Sequence, residues 1–215
     1  MSEQTLSKLD KGHIDEISSS RNEPEWLKDY RKTSLSVYDS LPIEMSPLYN
    51  KYTDAKKMDP EKVSLSTSTI ETIPSFLEKR LGELANEICI IQIGTNIHKI
   101  NISEELKSKG LVISSIADAI QNNSELVKKS LDTSNSKDDK FTALNNAAFN
   151  SGVFIHIPRN LILEKPIHFL SCLSEDGLST ISRNVIFADE SSKATIVQEL
   201  YSPKTETQQA YLELL

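Results

Sequence analysis

Apolar positions recur at helical spacing over residues 24–41, where Trp26, Leu27, Tyr30, Val37, Tyr38 and Leu41 share one face. That spacing predicts an amphipathic helix. Asn22 is read as its N-cap, with Glu25 three residues later as in a capping box. Pro24 fits a first turn, where its missing N–H would be unpaired anyway, and Pro42 stops the helix. Residues 1–21 are polar and Ser-rich; they predict a short helix around 6–17 in a loosely held, flexible segment. From 42 to 73 no period is sustained, and Pro42, Pro47 and Pro60 alternate with Lys, Asp, Ser and Thr, the pattern of a mobile connector. A short helix follows at 74–85 through Phe76, Leu77, Leu81 and Leu84. Residues 87–93 and 97–102 are β-branched runs on either side of Gly94-Thr95-Asn96, which predicts a hairpin. Ser103 is placed to cap a short helix that Gly110 ends. A strand-like run at 111–114 precedes two short helices at 115–121 and 124–131, each opened by Ser, a polar loop at 133–140 and an Ala/Leu-rich helix at 141–149.

After Gly152 the pattern changes to short apolar or β-branched runs at 153–157, 161–163, 167–173, 184–188 and 194–200, separated by sharp polar corners. Such runs suggest a sandwich, a barrel or a β-solenoid. No further strand is read after Leu200, and 205–215 looks helix-like or unfinished. The stack is therefore expected to end open, where solenoids normally carry a cap and where free edges need cover. The organisation expected is α+β: a flexible 1–21, a helical and α/β region over 22–150, and a β-rich 151–215.

Charge narrows the function classes. The 215 residues are 38% hydrophobic and 26% charged, with a formal net charge of −7. An acidic chain without a basic stripe is a poor nucleic-acid binder; Lys128-Lys129 sits on an amphipathic helix and reads as a solvated face. No run approaches the ~20 apolar residues of a membrane span. The first residues lack the apolar core of a signal peptide, so the expected location is the cytoplasm. Cys89 and Cys172 each stand alone in an apolar run, without metal-ligand spacing, and read as buried thiols of a reducing compartment rather than as a disulfide.

Candidate chemistry is sparse. His156 and His168 both lie in β runs, and on adjacent strands they could share a metal; surface or edge positions are the plainer reading. Cys172, next to these strands, is a candidate iron ligand through its thiolate, set against a structural thiol. Asp189-Glu190 resembles a paired-carboxylate site, but a turn solvating its own charges accounts for it. Trp26, the single tryptophan, suits a partner anchor or, more simply, the core face of its helix. No GxSxG, GxxxxGK[ST] or GxGxxG motif occurs. No catalytic, cofactor-binding or metal-binding residue is assigned, and the chain is read as non-enzymatic.

Several segments, in order, resemble the SufB/SufD family of iron–sulfur cluster assembly proteins. They are NEPEWL at 22–27, the Gly-strand-Ser-helix stretch over 109–131 ending in SELVKKSL, DKFTALNNAAFNSGVFIHIPRN at 139–160, KPIH at 165–168, and NVIFADESSKATIVQE at 184–199. EKPIHFL at 164–170 looks more like the SufD side. The resemblance implies an α/β N-terminal region followed by the first turns of a right-handed parallel β-helix. It also implies a scaffold role without chemistry of its own, in complex with a SufC-type ATPase and a SufB/SufD-type subunit, with an iron–sulfur cluster as the product of the full complex. The family's functional positions lie farther along than this chain reaches, so it is expected to be a truncated form, a fragment or a short variant. The runner-up from the strand pattern alone is a β-solenoid carbohydrate-active or carbohydrate-binding protein. Its strands offer Phe154, Phe169 and Phe187 but no acidic row.

Overall fold

A computed structural model describes residues 9–42, 64–65, 73–133, 139–173, 178–202 and 210–214. Most of the expected connector over 42–73 and part of the polar loop over 133–140 lie outside the described residues. The first helix, α1 (Lys11–Ser20), opens at Asp10, whose carboxylate accepts from the His13 N–H while the His13 ring accepts from the Asp10 N–H, each at 3.0 Å. This reciprocal cap satisfies two orphan donors. Ile14 is fully buried and Leu9 nearly so. From residue 9 onward the segment expected to be loosely held is therefore part of the core. Its serines hide an apolar face made by Leu9, Ile14 and Ile17.

The boundary to α2 (Glu25–Ser40) corrects the cap assignment. Asn22 is in the left-handed region at φ 50°, its N–H donates to Ser19 O at 3.2 Å, and the Glu23 N–H donates to Ser18 O at 2.9 Å. Those two bonds make a Schellman stop for α1. Asn22 ends one helix; Pro24 takes the N-cap position of the next and makes no side-chain cap bond. Burial explains the priority, since the tight stop lets α2 fold back on α1 with Leu27 and Leu35 inside.

The remaining elements follow in order: β1 (Ser64–Leu65), a 3₁₀ turn (Ser75–Leu77), α3 (Glu78–Glu83), β2 (Ile88–Ile93), β3 (Asn96–Asn101), α4 (Glu104–Ser108), β4 (Val112–Ser115), α5 (Ile116–Asn122), α6 (Ser124–Thr133), α7 (Lys140–Ala148), β5 (Val153–Ile157), β6 (Ile167–Cys172), β7 (Leu178–Arg183), β8 (Val185–Ala188), β9 (Ile196–Tyr201) and β10 (Ala210–Leu214). The hairpin turns through Gly94 at φ 57°, and Ser103, Ser115 and Asp139 cap their helices as the side-chain oxygens dictate. Two elements differ from expectation. β7 had not been read as a strand, because its buried residues include Ser179, Thr180, Ser182 and Arg183. β10 is a strand where a helix-like or unfinished tail was expected; its sequence, AYLEL, alternates with period two. The run at 161–163 contributes only an isolated bridge, Ile162 to Lys193.

Among the described residues the strands form three sheets, ordered β1-β7-β10, β3-β2-β6-β9 and β4-β5-β8. The β2/β3 and β4/β5 pairs are antiparallel and the others parallel, so the architecture is mixed α+β. The parallel pairs after residue 150 share one spacing. Phe154 meets Val185, Ile162 meets Lys193, Ile167 meets Ile196 and Ser179 meets Ala210, offsets of 29 or 31 residues. On their other side β5, β6 and β7 pair with β4, β2 and β1. Backbone groups that would otherwise be an open edge are thereby used.

The core has three parts. Helices α1, α2, α5, α6 and α7 pack around Phe149, Phe154, Ile181 and Val185. Ile88, Ile90, Val153, Ile155, Ile157, Ile167 and Phe169 fill the space between the β5 and β2/β6 sheets. Leu77 and Leu84, flanking α3, pack over Cys89, Ile91, Ile93, Leu170 and Cys172 on the outer face of the four-stranded sheet. Each such side chain contributes roughly 1.5–3 kcal/mol on full burial.

Candidate functional site

The segment from 139 to 160 forms a polar seam between α7 and β7. Asn145 Nδ2 donates to Ser182 O at 2.9 Å and Asn150 Nδ2 to Ser179 O at 3.1 Å, while Asn150 Oδ1 accepts from the Ile181 N–H at 2.8 Å. Asn184 Oδ1 accepts from the Val153 N–H and from Ser182 Oγ. Arg183 Nη1 donates to Asn146 Oδ1 at 3.2 Å, and burial pushes the Arg183 guanidinium below its ordinary range. Short amides here complete the backbone pairing of a strand, so the seam's chemistry is positional. Arg31 continues it. Fully buried, it makes two bonds to the Glu23 carboxylate at 2.7 and 2.8 Å, one to Ala147 O, and stacks 3.8 Å over the Phe149 ring. Glu23 also accepts from Ser18 Oγ at 3.0 Å, which gives a buried pair the extra hydrogen bonds it requires.

Next to this pair, Arg21, Glu23, Ile116, Ala117, Ile120, Gln121 and Phe149 line a cleft with room for little more than a water molecule. Arg21 donates to Asn150 O at 3.0 Å, and burial lowers its pKa to about 10.

The two histidines are not brought together. His156 lies on β5 and His168 on β6, in different sheets. His156 Nε2 is 3.0 Å from Asp189 Oδ2, and its ring meets Phe187 edge-on at 5.8 Å. Glu190 pairs with the exposed Arg159 at 2.9 Å. The Asp189-Glu190 turn thus splits its charges between two partners on the preceding strand and corner, which the one-dimensional reading missed. Among the described residues, no three His, Cys, Asp or Glu side chains are placed to hold one metal ion.

His168 belongs to a second cluster, on the outer face of the four-stranded sheet. Glu199 of β9 receives Arg80 from α3 through Nη2 at 2.6 Å and Nε at 3.0 Å, and the Tyr201 hydroxyl at 2.7 Å. His168 Nδ1 lies 3.7 Å from the same carboxylate and is buried without a hydrogen-bond partner. The Arg80 guanidinium holds Glu199 below the usual carboxylate range. Cys89 stands in register with His168 across β2 and β6, and Cys172 with Ile93. Both are free and 2% exposed, and burial raises both thiols, Cys172 to about 11. Such thiols are poor nucleophiles and ligands at neutral pH. Trp26 packs partly buried against the helical core. Lys129 reaches back over the Phe187 ring at 5.3 Å.

Comparison with known proteins locates the resemblance. A family model described as the SufBD protein N-terminal region matches residues 83–169. An iron–sulfur cluster assembly SufBD family protein of Staphylococcus aureus strain USA300 is 28% identical over a 207-residue alignment, covering 88% of this chain and 43% of the relative. A protein of the same description from Staphylococcus saprophyticus is 27% identical over the same coverage. The chain spans less than half the length of the curated relatives it matches. The matched region runs from β2 through β5 and the first part of β6, and includes α7.

Proposed function

We propose that this chain corresponds to the N-terminal region of a SufB/SufD-type protein and acts as a non-catalytic scaffold subunit in iron–sulfur cluster assembly. The observation that carries the reading is the family match over residues 83–169 together with relatives aligned across 88% of the chain. The strand geometry supports the finer version. Parallel strands returning at offsets of 29 or 31 residues on three sheets are what the first turns of a β-helix require. The EKPIHFL stretch, which runs into β6, favours the SufD side.

The polar groups of the resembling segments also support a structural role. Asn145, Asn150 and Asn184 bond to backbone, and Glu23 bonds to Arg31. In this reading the protein works in the cytoplasm beside a SufC-type ATPase and a SufB/SufD-type subunit, and the cluster is the product of the whole complex. Depletion of the protein in its source organism tests the role. Iron–sulfur enzymes are expected to lose cluster occupancy while their polypeptide levels hold. Unchanged occupancy after depletion would contradict the proposal.

A further inference from the structure

Residues 73–85 cross the outer face of the four-stranded sheet as a strap. Its apolar hold is small: Leu77 and Leu84 are buried, Ile73 and Leu81 partly so, and Phe76 is 48% exposed. Beneath it lie Cys89, Ile91, Ile93, Leu170 and Cys172. One polar contact ties the strap to the far strand of the sheet. Arg80 grips Glu199 of β9 through two guanidinium nitrogens, at 2.6 and 3.0 Å, across 119 residues of sequence. Glu83 adds a second carboxylate to Arg80 at 3.0 Å from within the strap. Glu199 is itself braced by the Tyr201 hydroxyl.

We propose that residues 73–85 are a latched strap: the Arg80–Glu199 grip keeps it closed, and its release unmasks the Cys89 and Cys172 thiols without unfolding the rest of the chain. Segments with few buried anchors open locally at lower cost than the whole fold. This strap has two buried side chains, whereas the central strands β2 and β6 below it are buried along almost their whole length. The grip is bidentate, the geometry in which an Arg–carboxylate pair is strongest and most directional. It joins the strap to β9, a strand of the second turn, so closure requires that turn to be in place. Gly82, inside α3, gives the strap a point of backbone freedom because it carries no side chain. The device stands independent of the assembly role proposed above.

The test is thiol labelling of the native protein with a disulfide reagent, each cysteine followed by mass spectrometry, at several low denaturant concentrations. Arg80→Met and Glu199→Gln should each speed the labelling of both thiols by at least about threefold, roughly 0.7 kcal/mol at 1.4 kcal/mol per tenfold. The double variant should be no faster than either single one. The rate should depend only weakly on denaturant, because little surface opens. Glu83→Gln, which leaves the grip on Glu199 intact, should have a smaller effect. Labelling that stays at the native rate, that accelerates at one thiol alone, or that follows denaturant as steeply as global unfolding would overturn the strap. The denaturant series separates a released strap from a variant that is simply unstable.

Discussion

At the scale of single residues, Gly152 is the position with least freedom. Its φ is +143°, and a Cβ placed there would lie 1.9 Å from the Arg183 carbonyl oxygen. The approach is close because Ser151 and Arg183 are bonded at this corner, and the Ile116 N–H donates to Gly152 O at 2.9 Å. Gly152→Ala is expected to cost at least about 3 kcal/mol, since neither the backbone nor the carbonyl can give way. Gly82→Ala, in open space inside α3, should instead be neutral or stabilise by up to about 1 kcal/mol. Denaturant midpoints of the two variants check the contrast. Asn22 teaches a related lesson. Its identity suits a cap or a left-handed stop equally well, and only the neighbouring helix decides which; the buried face of α1 decides for the stop.

At the scale of elements, the strap and its sheet respond to pH through one carboxylate. Arg80 lowers the folded-state pKa of Glu199 below the carboxylate's ordinary value. A depressed pKa contributes stability that is present above the unfolded value, about 4.3 for Glu, and is lost as the pH falls through the folded one. The stability gap between the native chain and Glu199→Gln is therefore expected to be present above that unfolded value. It should close as the solution is acidified below about pH 4.3. The pair is partly solvated, so the gap at neutral pH should be on the order of 0.5–1 kcal/mol. Chemical denaturation at a series of pH values measures it; a gap that persists at pH 3 would show that Glu199 contributes by packing instead.

Most elements were legible because their apolar spacing survives in the fold. The 153–157 run is β5 to the residue, and the hairpin over 87–102 turns at the glycine that marked it. β7 was not legible for a physical reason. Ser179, Ser182 and Arg183 are buried against amides from α7 and the segment that follows it, so hydrogen bonds do the work that apolarity does elsewhere. The helix expected around 6–17 is present as α1, but its burial was obscured in a similar way, the apolar anchors Leu9, Ile14 and Ile17 being diluted by serines.

At the scale of the whole molecule, the recurrent offset of 29 or 31 residues is the organising fact. The candidate chemistry was less legible than the fold. His156 and His168 fall on adjacent runs in sequence, yet a sharp corner places consecutive strands in different sheets. Partners such as Asp189 and Glu199 come from about thirty residues on, where simple adjacency does not look. The side chains gathered this way tie together segments about thirty residues apart in the chain.

The proposed scaffold role is tested most directly by what the protein holds in the cell. A tag placed on its gene at the native locus allows capture of the product at whatever length it is made, and mass spectrometry identifies its stoichiometric companions. The account predicts a SufC-type ATPase together with a SufB/SufD-type subunit. Recovery of the protein with neither of them, under conditions where both are expressed, would contradict it.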